Sequence, residues 1–301
     1  MKRFICATAV LLALCVPARA DDGLSMDEAM DIILAHHGVV TDMDVADYLT
    51  LDAETMTREA AVTAVVRSYG VYPVDEPDYV WADEVEQSEA YRPYIDYAQR
   101  IGITEGVGEN RFAPTRPVNA WELRTMLDRA DGIQPEYPLA YDSPLCRLLS
   151  ADIQRGLSVA PAFLVDSFYG EGRTITATTN PIVLDDGDTL SERYIGWIWY
   201  EGDIWIAVTY RGHPCYDQDM TAIHELGHYL GHRTNLLNRF SVEEERDWLI
   251  DFFRDYCNEN NHEFFADSFT AYILWPEELQ ENAPTVYAHI EACLHEMEGR
   301  M

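Results

Sequence analysis

The chain has 301 residues and is strongly acidic, with 53 Asp and Glu residues against 21 Lys and Arg residues and a formal net charge of −32. Lys2 is the only lysine, so arginine supplies nearly all of the positive charge. This charge excludes nucleic acid as an expected partner and disfavours anionic membranes, because both are polyanions that bind basic surfaces.

The first 20 residues have the pattern of a secretory signal peptide. A short basic start precedes an apolar run over residues 4–16, and Ala18-Arg19-Ala20 supplies a small-residue cleavage site. The apolar run is shorter than the twenty or so residues that span a bilayer, and no other segment is suited to do so. We therefore expect a secreted mature chain that begins near Asp21 and has no membrane span.

Four cysteines remain beyond residue 20, an even number that permits two disulfides in an exported protein. The pairs expected are local ones, Cys146 with Cys215 and Cys257 with Cys293. No two cysteines form the close Cys-x-x-Cys pair that a cysteine zinc site would need.

Residues 21–135 contain an internal repeat. One unit covers residues 36–70 and a second covers residues 94–130. Each has the pattern of a helix, a glycine-containing turn, a short extended piece and a capped helix. The sequence therefore predicts a helical repeat domain over residues 21–135.

The two units resemble S-layer homology motifs, whose loops and Thr-Arg sequences bind acidic cell-wall polysaccharides in that family. The first unit has Thr57-Arg58, whereas the second has Asn119-Ala120 at the matching place. A charged sugar would lose its arginine partner in the second unit. Attachment to a cell wall and a role in helical packing or substrate presentation are equally compatible with this pattern.

Residues 145–301 have the pattern of a mixed α+β domain. Residues 148–169 are helical in pattern, and Pro161 inside them predicts a kink or two helices. Residues 174–179 predict a strand. Residues 194–200 and 204–210 alternate bulky apolar side chains around a turn, which predicts a hairpin.

The most informative motif is His224-Glu225-Leu226-Gly227-His228. On a helix the two imidazoles lie about 6 Å apart along the axis and nearly in line, so both can reach one ion. Zinc lowers the pKa of a bound water, and a neighbouring carboxylate can then deprotonate that water for attack on a carbonyl. The motif therefore predicts a Zn²⁺ site with Glu225 as the base for peptide-bond hydrolysis.

The third zinc ligand has to come from elsewhere in the chain. A metzincin would place a histidine six residues after His228, where Thr234 stands. Glu263 is favoured because Asp267 follows it by one helical turn and can accept the second N–H of a ligand histidine. Glu259 is the competitor, although its asparagine-rich surroundings are typical of a helix cap.

The zinc motif, Tyr256 and the segment Glu263–Asp267 resemble the family of the anthrax lethal factor catalytic domain and the secreted Pro-Pro endopeptidases. The tyrosine precedes the glutamate by seven residues in that family, as it does here. The resemblance covers roughly residues 145–301. It implies a gluzincin-type zincin fold, in which Tyr256 donates a hydrogen bond to the developing oxyanion. It also implies that the strand ahead of the zinc helix pairs with the substrate, and that cleavage is proline-directed.

Together these features predict a secreted protein with a signal peptide at residues 1–20, helical repeats at 21–135 and a gluzincin domain at 145–301. The gluzincin domain is expected to combine a small β-sheet with zinc-binding helices. The activity expected is that of a zinc metalloendopeptidase, associated with the cell wall if the repeats bind polysaccharide.

The alternative is a catalytically inactive, wall-associated protein that binds peptide or polysaccharide. The intact Glu225 argues against it, because a binding protein has no need of a base. A zinc hydrolase acting on a non-peptide amide is a second enzymatic alternative.

Overall fold

The computed structural model describes residues 23–51, 53–74, 80–180, 196–198, 202–234, 243–253 and 260–300. Some sequence predictions concern residues outside these stretches. They are the signal peptide, Tyr256, Cys257 and Glu259. The described part is rich in helix and contains a small sheet, so the α+β class is confirmed.

The described residues of the N-terminal part include five α-helices: α1 Met26–His36, α2 Ala46–Thr50, α3 Arg58–Ser68, α4 Arg92–Arg100 and α5 Ala120–Ala130. Helix α3 is buried along its whole length and contacts α2, α4 and α5. Both capped helices expected from the repeats form. Thr57 caps α3, and Asn119 caps α5 by accepting hydrogen bonds from the backbone of Trp121 and Glu122 at 3.0 Å.

The starts of α3 and α5 are tied together. Thr57 forms an isolated antiparallel bridge with Pro117, and the backbone N–H of Arg58 donates to the Arg116 carbonyl over 2.9 Å. The two repeat units therefore pair through the extended pieces that precede their capped helices.

A four-stranded sheet lies in the C-terminal part, in the order β1-β2-β4-β3. Its strands are β1 Ala140–Tyr141, β2 Ile175–Thr178, β3 Gly196–Ile198 and β4 Ile204–Ala207. Strands β1, β2 and β4 are parallel, and β3 pairs antiparallel with β4 at the edge, with Trp197 opposite Trp205. The predicted hairpin and the strand predicted at residues 174–179 are both confirmed. Strands β5 Thr209–Tyr210 and β6 His213–Pro214 form a separate small hairpin.

The described residues include eight further helices: α6 Pro144–Leu148, α7 Ala151–Val159, α8 Ala162–Gly170, α9 Gln218–Arg233, α10 Glu243–Phe252, α11 Asn261–Leu274, α12 Pro276–Asn282 and α13 Pro284–Glu298. Helices α6 and α9 contact the sheet, and α7 and α11 pack against α9. Helix α7 ends at Val159 and α8 begins after Pro161. Proline lacks the backbone N–H that would continue a helix, so the segment forms two helices rather than one kinked helix.

The N-terminal helices and the C-terminal part share one hydrophobic core. Arg67 on α3 forms an ion pair of 3.1 Å with Asp152 on α7, and both side chains are almost fully buried. The Tyr48 hydroxyl donates to the Leu149 carbonyl over 2.7 Å. Buried polar contacts of this kind fix the orientation of the surfaces that make them. The repeats therefore pack against α7, which in turn contacts α9.

The expected disulfide between Cys146 and Cys215 is wrong, because both residues are buried free thiols. The Cys146 thiol instead donates to Oδ1 of Asp142 over 2.6 Å. Burial raises the pKa of Cys215 to about 12, so its thiol stays protonated. Cys293 is a buried free thiol as well, and Cys257 lies outside the described residues.

Within the described stretches, no helix has both the length and the apolar character that crossing a bilayer would require.

Candidate metal centre

Two helices, α9 and α11, approach each other closely enough to bring their polar side chains together. They meet tightly at Gly227, where an added Cβ would lie 2.9 Å from Cα of Ala266 and 3.2 Å from Cβ of Phe269. Glycine is therefore needed at this crossing. The motif histidines flank Gly227 on α9 and so face the first turns of α11.

The start of α11 places its acidic side chains on the face that meets α9. Asn260 caps the helix, and its side chain accepts hydrogen bonds from the backbone N–H groups of His262 and Glu263 over 2.8 and 3.1 Å. Glu263 therefore lies in the first turn and Asp267 lies one turn further along the same face. The prediction of a cap in the asparagine-rich run is confirmed.

Three ligand atoms form a nearly equilateral triangle. Nε2 of His224 lies 3.1 Å from Oε2 of Glu263, and Nε2 of His228 lies 3.2 Å from the same oxygen. The two histidine Nε2 atoms are 3.1 Å apart. A tetrahedral zinc site with bonds of about 2.0–2.1 Å has ligand atoms about 3.3 Å apart. The three side chains are therefore spaced to hold one metal ion.

Among the residues that the structure describes, these three are the one group of three or more His, Cys, Asp and Glu side chains close enough for this. They are also largely buried, with His224 at 7%, His228 at 10% and Glu263 at 17% side-chain exposure. Partial burial favours ligation, because few water molecules compete for the ligand atoms.

Asp267 fixes the orientation of one candidate ligand. This fully buried carboxylate lies 2.7 Å from Nδ1 of His224. The contact leaves Nε2 of the same ring directed at Glu263. A carboxylate behind a ligand histidine selects the tautomer and raises the basicity of the ring. The arrangement matches the role expected for Asp267 from its spacing.

The charges of the group perturb one another. Burial alone would lower the pKa of His224, but its contacts with Asp267 and Glu263 outweigh burial and raise the pKa to about 9. Burial would likewise raise the pKa of Glu263, but hydrogen bonds from His224 and His228 hold it well below its usual range. The two carboxylates therefore favour positive charge at this position, on the ring or on a bound cation.

Glu225 lies beside the group, almost fully buried on α9 and against the edge strand β3. An added Cβ on Gly196 would come within 2.5 Å of both Oε1 of Glu225 and Cγ2 of Thr221. Only glycine lets the strand lie this close to the helix. The close approach holds the Glu225 carboxylate against the edge strand.

The structure brings together His224, His228, Glu263 and Asp267, with Glu225 on the adjoining turn. Sequence reasoning missed Gly196, although a glycine inside a strand pattern is a recognised signal of a close backbone approach. Tyr256, the expected oxyanion donor, and the competing ligand Glu259 are outside the described residues.

No protein-family model matches the chain, and neither the curated proteins nor the solved structures include one that is detectably similar to it. The resemblance to the lethal factor and Pro-Pro endopeptidase family stays a prediction. The chemistry of the site must therefore be inferred from its own side chains.

Proposed function

We propose that the protein is a secreted zinc-dependent endopeptidase with a gluzincin-type site. The observation that carries this proposal is the triangle of ligand atoms from His224, His228 and Glu263, with Glu225 on the same helix. Two imidazoles and one carboxylate are a donor set that zinc accepts, and three protein ligands leave one coordination position open for catalysis. Asp267 completes the set as the partner of a ligand histidine.

When bound, zinc would lower the pKa of a water molecule and polarise the substrate carbonyl. The Glu225 carboxylate takes the proton of the attacking water and passes it to the nitrogen of the leaving amine. Its burial suits this role, because a carboxylate shielded from solvent exchanges its proton with the substrate rather than with bulk water. Tyr256 is proposed, from the family resemblance, to donate a hydrogen bond to the oxyanion.

The substrate peptide is proposed to add to the sheet along β3. Strand β3 ends the strand order, so among the described strands its outer edge has no partner. An extended peptide that pairs with such an edge gains backbone hydrogen bonds along its length. Because Gly196 lies against Glu225, a peptide on this edge would pass close to the base.

The helical repeats are proposed to support the peptidase half rather than to hold a cell-wall polymer. The Arg58 guanidinium, the expected partner of an acidic sugar, is buried and donates to Oγ1 of Thr104 over 2.8 Å and to the Glu105 carbonyl over 2.6 Å. It also lies 5.0 Å from the centre of the Phe112 ring. A wall polymer could reach it only if these contacts broke.

A peptide-library digest read by mass spectrometry tests the proposal. The purified protein is stripped with a chelator and then reloaded with zinc, magnesium or calcium. Zinc alone should restore cleavage of internal peptide bonds, because imidazole ligands favour it over the two harder cations. If the zinc-loaded protein binds the library peptides but cuts none of them, the alternative of a catalytically inactive peptide-binding protein would be supported instead.

A further inference from the structure

A cavity of about 680 Å³ lies beyond the metal group along α9. Helix α9 contributes Tyr229, His232 and Arg233 to its wall, and β3 contributes Ile198. The segment between α8 and β2 closes the other side with Glu171 and Arg173. None of the metal-ligand candidates lines this cavity. We call it the arginine pocket.

The arginine pocket continues the path of the edge strand past the site. Gly196 and Ile198 lie on the same face of β3, and Gly196 lies against Thr221 and Glu225 of α9. Two residues of strand advance about 6.6 Å and one helical turn advances about 5.4 Å. Ile198 on the strand and Tyr229 on the helix therefore lie at similar distances beyond Gly196 and Glu225, and both line the pocket. A peptide lying along β3 over the base therefore has the pocket one or two residues away from the bond to be cut.

Two guanidinium groups converge in the pocket on one ring and one carboxylate. The guanidinium groups of Arg173 and Arg233 lie 5.2 and 5.7 Å from the centre of the Tyr229 ring. Both donate to the same oxygen, Oε2 of Glu171, Arg173 doing so over 2.8 Å. The other acidic group of the lining, Asp203, accepts a hydrogen bond from the backbone N–H of Thr174 over 2.7 Å.

The two arginines keep unused donors. Nε of Arg173 donates to Glu171, and Nη1 of Arg173 donates to the Gly202 carbonyl over 2.8 Å. Nη2 of Arg233 donates to Glu171. Among the described residues, Nη2 of Arg173 and Nη1 of Arg233 have no acceptor. Two like charges that share one carboxylate oxygen repel each other, and a second carboxylate would relieve that repulsion with charge-assisted hydrogen bonds.

We propose that the arginine pocket is a substrate subsite that binds a carboxylate of the peptide. The carboxylate belongs either to an aspartate or glutamate side chain near the cleaved bond or to the end of the peptide. The inference rests on the proposed function, because the peptide that enters the pocket is the one held along β3. It adds a substrate class, acidic peptides, that the metal site alone does not specify.

The test uses two peptide libraries on the zinc-loaded protein. In the first, both ends are blocked and one position is fixed in turn as Glu or Gln. In the second, acidic side chains are absent and the C-terminus is either free or amidated. Each library is digested by the wild type, Arg233→Gln, Arg233→Glu and the control Arg124→Gln. Arg124 is exposed on α5, and its replacement removes the same charge from a surface outside the pocket.

The wild type and Arg124→Gln should prefer Glu over Gln at one fixed distance from the cut by about tenfold or more, as expected for a charge-assisted hydrogen bond. Arg233→Gln should lose the preference, and Arg233→Glu should favour a basic residue instead. A preference for free over amidated ends, with none for internal Glu, would assign the carboxylate to the peptide terminus.

Cleavage without any preference for a carboxylate, or with one that persists in Arg233→Gln, would overturn the pocket proposal and leave the peptidase intact. In parallel, we measure how strongly library peptides are retained by two zinc-loaded proteins. One is Glu225→Gln, and the other combines Glu225→Gln with Arg233→Gln. If the wild type cuts nothing, the proposed function fails, and retention alone then decides on the pocket. Acidic peptides retained only while Arg233 is present would support it, and equal retention would overturn it.

Discussion

His224 is held at both of its ring nitrogens, by Asp267 at 2.7 Å and by Glu263 at 3.1 Å. These carboxylates raise its pKa to about 9 against the opposing effect of burial. A metal ion needs the neutral ring, so the proton and the metal compete for the same nitrogen. The two carboxylates that prepare the site for a cation therefore also make cation binding depend on pH.

We predict that zinc affinity increases with pH between 7 and 9. Below the pKa of His224 the proton must be displaced, so affinity falls by about tenfold for each unit of pH while one proton is exchanged. Glu263 adds nothing over this range, because its pKa is held low and it is already ionised. Competition with a chelator of known pH dependence measures the effect. Asp267→Asn is the control, because loss of the charge should flatten the pH dependence of zinc affinity. A wild-type zinc affinity that does not change between pH 7 and 9 would contradict the assignment.

We predict that Glu263→Ala lowers zinc affinity by more than about tenfold, because it removes one of three protein ligands. Glu259→Ala should change zinc affinity little. Metal content is measured at equal folded protein, with circular dichroism as the control for folding. If Glu259→Ala empties the site and Glu263→Ala retains zinc, the third ligand has been misassigned.

At the residue scale, the pairs within each helix could be predicted because helical spacing converts directly into distance. The two histidines and the Glu263–Asp267 pair each lie one turn apart, and helix spacing places such residues on one face. Sequence spacing says nothing about which side chains from distant segments converge. The shared use of Glu171 by Arg173 and Arg233 could not be predicted for this reason.

At the element scale, the site depends on how closely β3 lies against α9. We predict that Gly196→Ala lowers kcat by about tenfold to a hundredfold, because a displacement of reacting groups near 1 Å has an effect of that size. The added methyl group would lie 2.5 Å from Oε1 of Glu225 and 2.5 Å from Cγ2 of Thr221. Zinc content should stay unchanged, since none of the ligands is contacted.

Two further variants make the Gly196 prediction specific. Gly170→Ala is the control, because a Cβ added there meets nothing within 4 Å. Adding Thr221→Ser to Gly196→Ala removes one of the two contacts and should restore part of the lost activity. Wild-type kcat in Gly196→Ala would show that the strand does not position the base.

The elements themselves were largely predictable. The alternation of apolar residues predicted the β3–β4 hairpin, and the position of Pro161 predicted the break between α7 and α8. Their close approaches were not predictable, because the place where Gly227 meets α11 depends on tertiary packing. The Cys146–Cys215 disulfide was wrong for the same reason, since an even cysteine count permits pairing without bringing the thiols together.

At the scale of the whole molecule, the helical repeats and the C-terminal half are joined by a buried ion pair. Arg67 and Asp152 lie 85 residues apart in sequence, and their side chains meet at 3.1 Å inside the shared core. Arg155, on the same helix as Asp152, pairs with Asp219 in the first turn of α9 over 2.8 Å. The repeats are therefore linked through α7 to the helix that carries the zinc motif.

We predict that Arg67→Met destabilises the whole protein by about 3–5 kcal/mol, because it leaves the buried Asp152 carboxylate without its main partner. Urea unfolding followed by tryptophan fluorescence and circular dichroism should give one shared transition, shifted to lower urea. Arg124→Gln, on an exposed helix face, should stay within about 0.5 kcal/mol of the wild type. Two separate transitions in the wild type would contradict a common core.

The central claim is that Glu225 acts as the base beside a zinc ion held by His224, His228 and Glu263. The most direct measurement compares peptide cleavage by the zinc-loaded wild type and zinc-loaded Glu225→Gln at equal metal content. The variant keeps the shape of the side chain and all three ligands but cannot take the proton from water, so its kcat should fall by about a hundredfold or more. Cleavage by Glu225→Gln at the wild-type rate, with one zinc bound, would contradict the account.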